Sequence, residues 1–206
     1  MKKSTKILLL VIFLLILSFS IYFILNQNNT HSLAFVKKVN QYSKNQTNYS
    51  AVISKNIDNT NFIENIIFNN GIKKIIYKTG DNITDIRWIT SDKIISEYSK
   101  IYVDSSFVPS DLDTLDIYLS GNYTYKFLRE ENYNNSKCIV SEFTNKNSSE
   151  KTVVWIDIER KLLVKQEIYD NNNQLTQSVT YNITLNNVTS EDVKLPDLTN
   201  YTYKKQ

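Results

Sequence analysis

At 206 residues the chain has room for one anchor and one domain, but not for two sizeable domains. It carries 24 basic and 21 acidic residues, and Lys2, Lys3 and Lys6 all precede a long apolar run; without these three the charges balance, which argues against a basic surface for nucleic acid. One cysteine, one histidine and three glycines leave no internal disulfide, no zinc site with several Cys or His ligands and no glycine-rich phosphate loop.

The rest of the composition favours strands. Asn, Ile and Lys are abundant, there are 14 tyrosines, and alanine occurs only at Ala34 and Ala51. Branched and ring side chains pack well on a pleated surface. Asn and Ile in place of Ala and Gly also point to an AT-rich bacterial genome.

In chain order the first element is the run Ile7 to Leu25, almost wholly apolar. As a helix of about 19 residues it can span about 30 Å of hydrocarbon. Lysines before it, and none close behind, predict a single-pass anchor in the cell membrane with a cytoplasmic N-terminus and an extracytoplasmic domain. A cleaved signal peptide would have a shorter apolar region and a small-residue cleavage site, and a lipoprotein signal would need a cysteine after the run. The expected layout is therefore a tip and anchor over 1–25, a linker over 26–31, one domain over 32–200 and a tail over 201–206.

Beyond the linker, Leu33, Val36, Val39 (or Asn40) and Tyr42 (or Ser43) recur at helical spacing, with Thr30 or Ser32 as the cap. From Tyr49 the period becomes two. Strands are expected at Tyr49–Lys55, Asn61–Asn69, Ile72–Thr79, Ile83–Thr90 and Ile94–Val103, with turns at Asn69-Asn70-Gly71 and Thr79-Gly80-Asp81-Asn82. A second helix follows, capped by Ser110, striped by Leu112, Leu115 and Leu119 and stopped by Gly121. Cys138-Ile139-Val140 reads as strand, its thiol buried and inert. In the last third, Val153–Ile158, Leu162–Tyr169 and Leu175–Leu185 alternate cleanly. Val154, Ile156, Val164, Ile168, Tyr181 and Ile183 are expected on one buried face, and Val193 to Pro196 as a short closing strand. The fold class is α+β, mainly antiparallel, a meander with a few helices.

The chemistry is sparse. His31 is the sole histidine, without a nucleophile's setting. The acidic pairs Glu130-Glu131 and Glu191-Asp192, and the set Asp111, Asp113 and Asp116, fit capping and solvation rather than a glycosidase cleft. No enzyme, cofactor or metal site is predicted. Trp88 shares a face with Ile86 and belongs to the core. Trp155 lies on the face opposite Val154 and Ile156. With Leu163 and Tyr169 across the hairpin it forms the candidate partner-binding patch, unless a helix covers that face.

The stretch Val154-Trp155-Ile156-Asp157, then Leu163 to Asp170 (LVKQEIYD), then Gln177 to Tyr181 and finally Leu195-Pro196, resembles the C-terminal half of the LolA/RseB-like lipoprotein-carrier superfamily. The resemblance covers roughly residues 30–200 in element order. It implies a curved antiparallel half-barrel with helices over its concave apolar side, and a non-enzymatic binding role. Among AT-rich spore formers the superfamily includes GerS-like germination proteins. That implies a membrane-anchored sporulation or germination factor partnering a cell-wall amidase of the cortex, an N-acetylmuramoyl-L-alanine amidase. The alternative it implies is a lipid- or lipoprotein-binding carrier or sensor.

Overall fold

The computed structural model describes residues 12–18, 30–105 and 115–205. The expected anchor lies mostly outside these residues. Only residues 12–18 of it are described, as a helical stretch whose apolar side chains are exposed. Among the described residues no helix is long and apolar enough to cross a membrane.

Helix α1 (Leu33–Lys44) starts where the sequence places its cap: Ser32 Oγ accepts from the Phe35 amide, satisfying a donor that the first turn leaves free. Its buried side is Phe35, Val36, Val39, Asn40 and Ser43; the spacing placed Val36, Val39, Asn40 and Ser43 there but not Phe35, while Leu33 is half-buried and Tyr42 exposed. Twelve strands follow: β1 (Asn48–Ile57), β2 (Thr60–Asn69), β3 (Ile72–Thr79), β4 (Asn82–Ile89), β5 (Lys93–Ser96), β6 (Ile101–Asp104), β7 (Tyr123–Tyr133), β8 (Ser136–Asn145), β9 (Lys151–Asp157), β10 (Leu162–Tyr169), β11 (Leu175–Leu185) and β12 (Thr202–Tyr203). Helix α2 (Asp116–Leu119) lies between β6 and β7. All strands form one open, curled sheet in the order β12-β6-β5-β4-β3-β2-β1-β11-β10-β9-β8-β7. Every neighbouring pair is antiparallel except β12 with β6. Two-residue turns that need positive φ are supplied by Asp58-Asn59 and Asn134-Asn135, residues that tolerate the left-handed region.

Four expectations need correction. The single strand Ile94–Val103 is two strands, because residues 97–100 turn with Lys100 at φ 51°. The middle helix has only four described residues, starts at Leu115 without a side-chain cap, and ends before Gly121 at φ 89°; Ser110 to Asp113 lie outside the described residues. The β7–β8 hairpin was not expected as a pair, although Asn134-Asn135 is its signal. Val193 to Pro196 is not a strand. The closing strand is β12, within the stretch expected as a tail, and it pairs in parallel with Ile101 and Tyr102.

Cross-strand partners share a face, so the register sorts the core. One face carries Tyr49, Ala51 and Ile53 of β1, Ile66 and Phe68 of β2, Ile75 of β3, Val179 and Ile183 of β11, and Val154, Ile156, Ile139 and Phe143 of β9 and β8. Helix α1 covers the β8–β10 part of this face through Phe35, Val36 and Val39, with Leu115 beside them. Asn40 Nδ2 donates to Asp116 at 2.6 Å and Lys44 pairs with the same carboxylate, tying α1 to α2.

The opposite face holds its own cluster of Cys138, Val140, Val153, Trp155 and Val164. Val164 was expected on the face of Val154 and Ile156. A register shift between Leu163 and Lys165 moves it across, so that Leu162, Leu163 and Val164 enter three different clusters. Ile168 is half-buried and Tyr181 packs against both clusters of the α1-covered face. The chain after β11 crosses this opposite face: Asn187 donates to Ser50 Oγ at 2.8 Å, and Lys74 donates to the Asp192 carbonyl. Trp88 is buried, as expected.

Candidate functional site

The α1-covered face is concave, and α1 leaves its β2–β6 half to a different lining. The register places Phe62, Tyr77, Ile89, Ile94 and Val103 there. Phe62 is exposed and the other four are half-buried. Below them lies the buried floor of Ile66, Phe68 and Ile75. On the curled sheet these side chains line a trough of mixed character, because the same register puts Glu64, Lys73, Asp85 and Arg87 among them.

Charged groups stand within this lining in fixed pairs. Lys55 Nζ reaches Glu64 at 2.6 Å, and Arg87 Nε donates to Asp85 at 2.7 Å while its guanidinium lies over the Tyr77 ring. Burial pushes Asp85 up, but hydrogen bonds from Arg87, the Tyr98 amide and Ser96 outweigh it and hold the carboxyl below its usual range. Burial and the Glu64 charge raise the Tyr77 phenol, so it stays a neutral hydroxyl. Across β11 and β10, Tyr181 donates to Gln166 Oε1, and Gln166 Nε2 donates to Tyr118. Burial keeps both phenols protonated. The arrangement can hold an apolar chain on aliphatic side chains and its polar end against fixed charges and hydroxyls. None of these residues was expected at a site from the sequence, Tyr181 being expected only in the core, because their meeting depends on pairing between strands.

The three residues expected at a partner interface are not displayed together. Leu163 is 4% exposed and packs under α1, on the concave face. Trp155 is 4% exposed on the other face, where its indole donates to Glu131 and Lys165 Nζ stands 4.4 Å from the ring centroid. Tyr169 is half-buried and donates to Glu167 at 2.5 Å, which with burial pushes its phenol up to about 12. Among the described residues no helix covers Trp155. Side chains from β7 and β10 do: Leu128, Tyr133 and Tyr169 pack around it, and Arg129 bonds the same Glu131. The expected choice between an open patch and a helical lid left out this third solution, cover by long neighbours on the same sheet.

The remaining reactive groups are structural. Burial pushes the Cys138 thiol up to about 11, with the Asp157 charge adding to it. His31 stacks on Phe127 at 4.0 Å and meets Glu130 at 2.8 Å. Among the described residues no group of His, Cys, Asp and Glu could hold a metal ion.

A family model described as "Uncharacterized protein" matches residues 93–200, from β5 to the turn before β12 and just over half of the chain. The chain belongs to this family. Its matched region contains the α2 segment, the β7–β11 half of the sheet and the crossing C-terminal segment. No curated protein sequence matches the chain.

Among solved structures, an uncharacterized conserved protein from Thermus thermophilus is similar with a TM-score of 0.58 at 9% identity, covering 84% of this chain and 97% of that one. MucB of Pseudomonas aeruginosa, solved in complex with MucA, gives 0.56 at 10% identity over 79% of this chain and 60% of its own. This member of the family therefore spans less than two thirds of MucB. The lipoprotein LppX of Mycobacterium tuberculosis gives 0.50 at 13% identity, covering 79% and 97%. MucB and LppX belong to the LolA/RseB superfamily, and the likeness establishes their fold for this chain.

Proposed function

We propose that this protein is a non-enzymatic binding domain that holds a lipid, or the lipid moiety of a lipoprotein, in the concave trough of β2–β6. The observation that carries this reading is the partly exposed wall of Phe62, Tyr77, Ile89, Ile94 and Val103, which α1 does not cover among the described residues. An acyl chain laid on that wall removes aliphatic surface from water on both partners. The Asp85–Arg87 and Lys55–Glu64 pairs then face the polar end. The fold shared with LppX, a lipoprotein, and MucB supports a binding role in general. The narrower expectation, a germination factor gripping a cortex amidase, has no observation in its favour.

The test is lipid retention. Protein purified in mild detergent and extracted into organic solvent should yield a stoichiometric lipid by mass spectrometry. Ile94→Asp places a charge on the half-exposed wall, and lipid occupancy should drop by at least about tenfold, the cost of one buried unpaired carboxylate. A folded Ile94→Asp protein that keeps its lipid would sink the trough. Co-purification of a protein and no lipid would move the reading to a protein partner, for which MucB with MucA is the structural precedent.

The domain acts outside the cytoplasm in this proposal, tethered through Ile7 to Leu25. The lysines before that run and the exposed apolar side chains of residues 12–18 support the tether. Protease added to intact protoplasts should remove the domain, and the purified chain should still begin near Met1. A mature N-terminus beyond Leu25 would refute the anchor.

A further inference from the structure

Strands β10 and β11 do not pair along their full length. Their ladder runs from Lys165 with Thr180 to Tyr169 with Leu175, and stops there. Leu162–Val164 and Tyr181–Leu185 have no register partners in each other, although β11 stays paired to β1 as far as Leu185. The register shift next to Val164 turns β10 away. Arg160, in the β9–β10 turn, reaches into the gap and donates to the Ile183 carbonyl. Asp157 fixes that turn by accepting the amides of Glu159 and Arg160 at 3.0 and 2.9 Å.

The splay opens a cleft of about 300 Å³ on the convex face, lined by Tyr133, Asn134, Ser136, Arg160, Thr180 and Asn182 over Val164. That size is at the lower end of ligand sites. Among the described residues, the hydroxyls of Tyr133, Ser136 and Thr180 and the side-chain amides of Asn134 and Asn182 make no hydrogen bond. Hydroxyls and amides each donate and accept, and the guanidinium adds donors beyond the one that Ile183 takes. Such a ring of mixed groups matches a polyol, whose hydroxyls also do both. The charge balance speaks against a phosphate: Asp157 Oδ2 is buried 3.9 Å from Arg160 Nε, and Glu159 stands in the same turn as Lys161. Tyr133, packed on the Trp155 cluster with Lys165 Nζ 5.6 Å from its ring centroid, borders the cleft with its half-buried ring.

We infer that this cleft binds a neutral saccharide of one or two hexose units, on the face of the sheet opposite the lipid trough. The two sites use opposite sides of the strands, so either can fail without the other.

The test is saturation-transfer difference NMR on the full chain in a polyoxyethylene detergent, which contributes neither sugar nor phosphate. The probes are the β-1,4-linked trimer of N-acetylglucosamine and maltotriose at millimolar concentration. At least one should show saturation transfer to its ring protons, unaffected by equimolar inorganic phosphate. Asn182→Ala and Ser136→Ala remove side-chain groups that bond nothing else among the described residues, and each should weaken the signal about fivefold, the effect of one lost hydrogen bond. Gln177→Ala, in the separate polar cleft at the far end of β11, should leave it unchanged. Arg160→Ala should abolish it, with circular dichroism checking that the turn survives. The inference is overturned if neither sugar shows transfer to the folded protein. It is equally overturned if phosphate displaces the signal, or if Asn182→Ala and Ser136→Ala both behave as the parent chain.

Discussion

Replacing Ile156 by alanine is expected to cost about 2–5 kcal/mol of stability, measured by denaturant unfolding. Ile156 is fully buried between Ile139 and Leu163 in the sheet and shares its cluster with Phe35, Val36 and Val39 of α1. The concave face is closed there from above, so little around the lost side chain can collapse into the void. Thr180→Ala is the internal control. Its side chain lines a cleft on the other face and makes no hydrogen bond among the described residues, so its effect should stay within about 0.5 kcal/mol. Equal costs at the two positions would mean that the faces have been assigned wrongly.

Replacing Trp155 by alanine should cost about 3–5 kcal/mol, the range for a buried tryptophan. An exposed Trp155 in a partner-binding patch would instead leave stability nearly unchanged when lost. Burial among Cys138, Val140, Val153 and Val164 decides between them. Trp155→Phe separates the packing from the polar contact, because it keeps a ring but loses the donor to Glu131; about 1–2 kcal/mol should be lost. The pH dependence gives a second readout. The bond from Trp155, and then that from Arg129, hold the Glu131 carboxyl below its ordinary 4.5. A carboxyl depressed in the fold stabilises above its unfolded value, and loses that contribution as the pH falls through its folded one. The deficit of Trp155→Phe should therefore be full at neutral pH and shrink below about pH 4.5. A deficit independent of pH would show that the bond carries no stability.

Much of the fold was legible in the residues alone. The period-two runs of β3, β10 and β11 have the bounds that their alternation predicts. Ser32 caps α1, and the stripe through Val36 and Val39 faces inward. These features are local: a cap needs one side chain within reach of one amide, and an alternating strand records in its own residues which side is wet. The resemblance to the LolA/RseB superfamily also lay in consecutive strands, β9 to β11.

What failed did so where the deciding neighbour is remote in sequence. Trp155 looked outward because Val154 and Ile156 already supplied a buried face, yet β9 is buried on both faces, under α1 on one and under long side chains of β7 and β10 on the other. The α1-covered face and the Trp155 cluster come from one alternating pattern, and only the positions of Leu128, Tyr133 and Lys165 reveal the second. Val164 changed faces because one register shift reverses the order of inside and outside, and a shift belongs to a pair of strands rather than to either one.

By itself, then, the sequence determined the strand-rich class, the helix that opens the domain and the cluster of lysines before the apolar run. These depend on residue type and short-range spacing. Only the tertiary structure decided that β12 closes the sheet in parallel with β6, that α1 covers one half of the concave face and leaves Tyr77, Ile94 and Val103 accessible on the other, and that β10 and β11 part around Arg160. Each of those is a contact between segments tens of residues apart. Its energy comes from surfaces that exist only once the sheet has curled, and no local pattern encodes it.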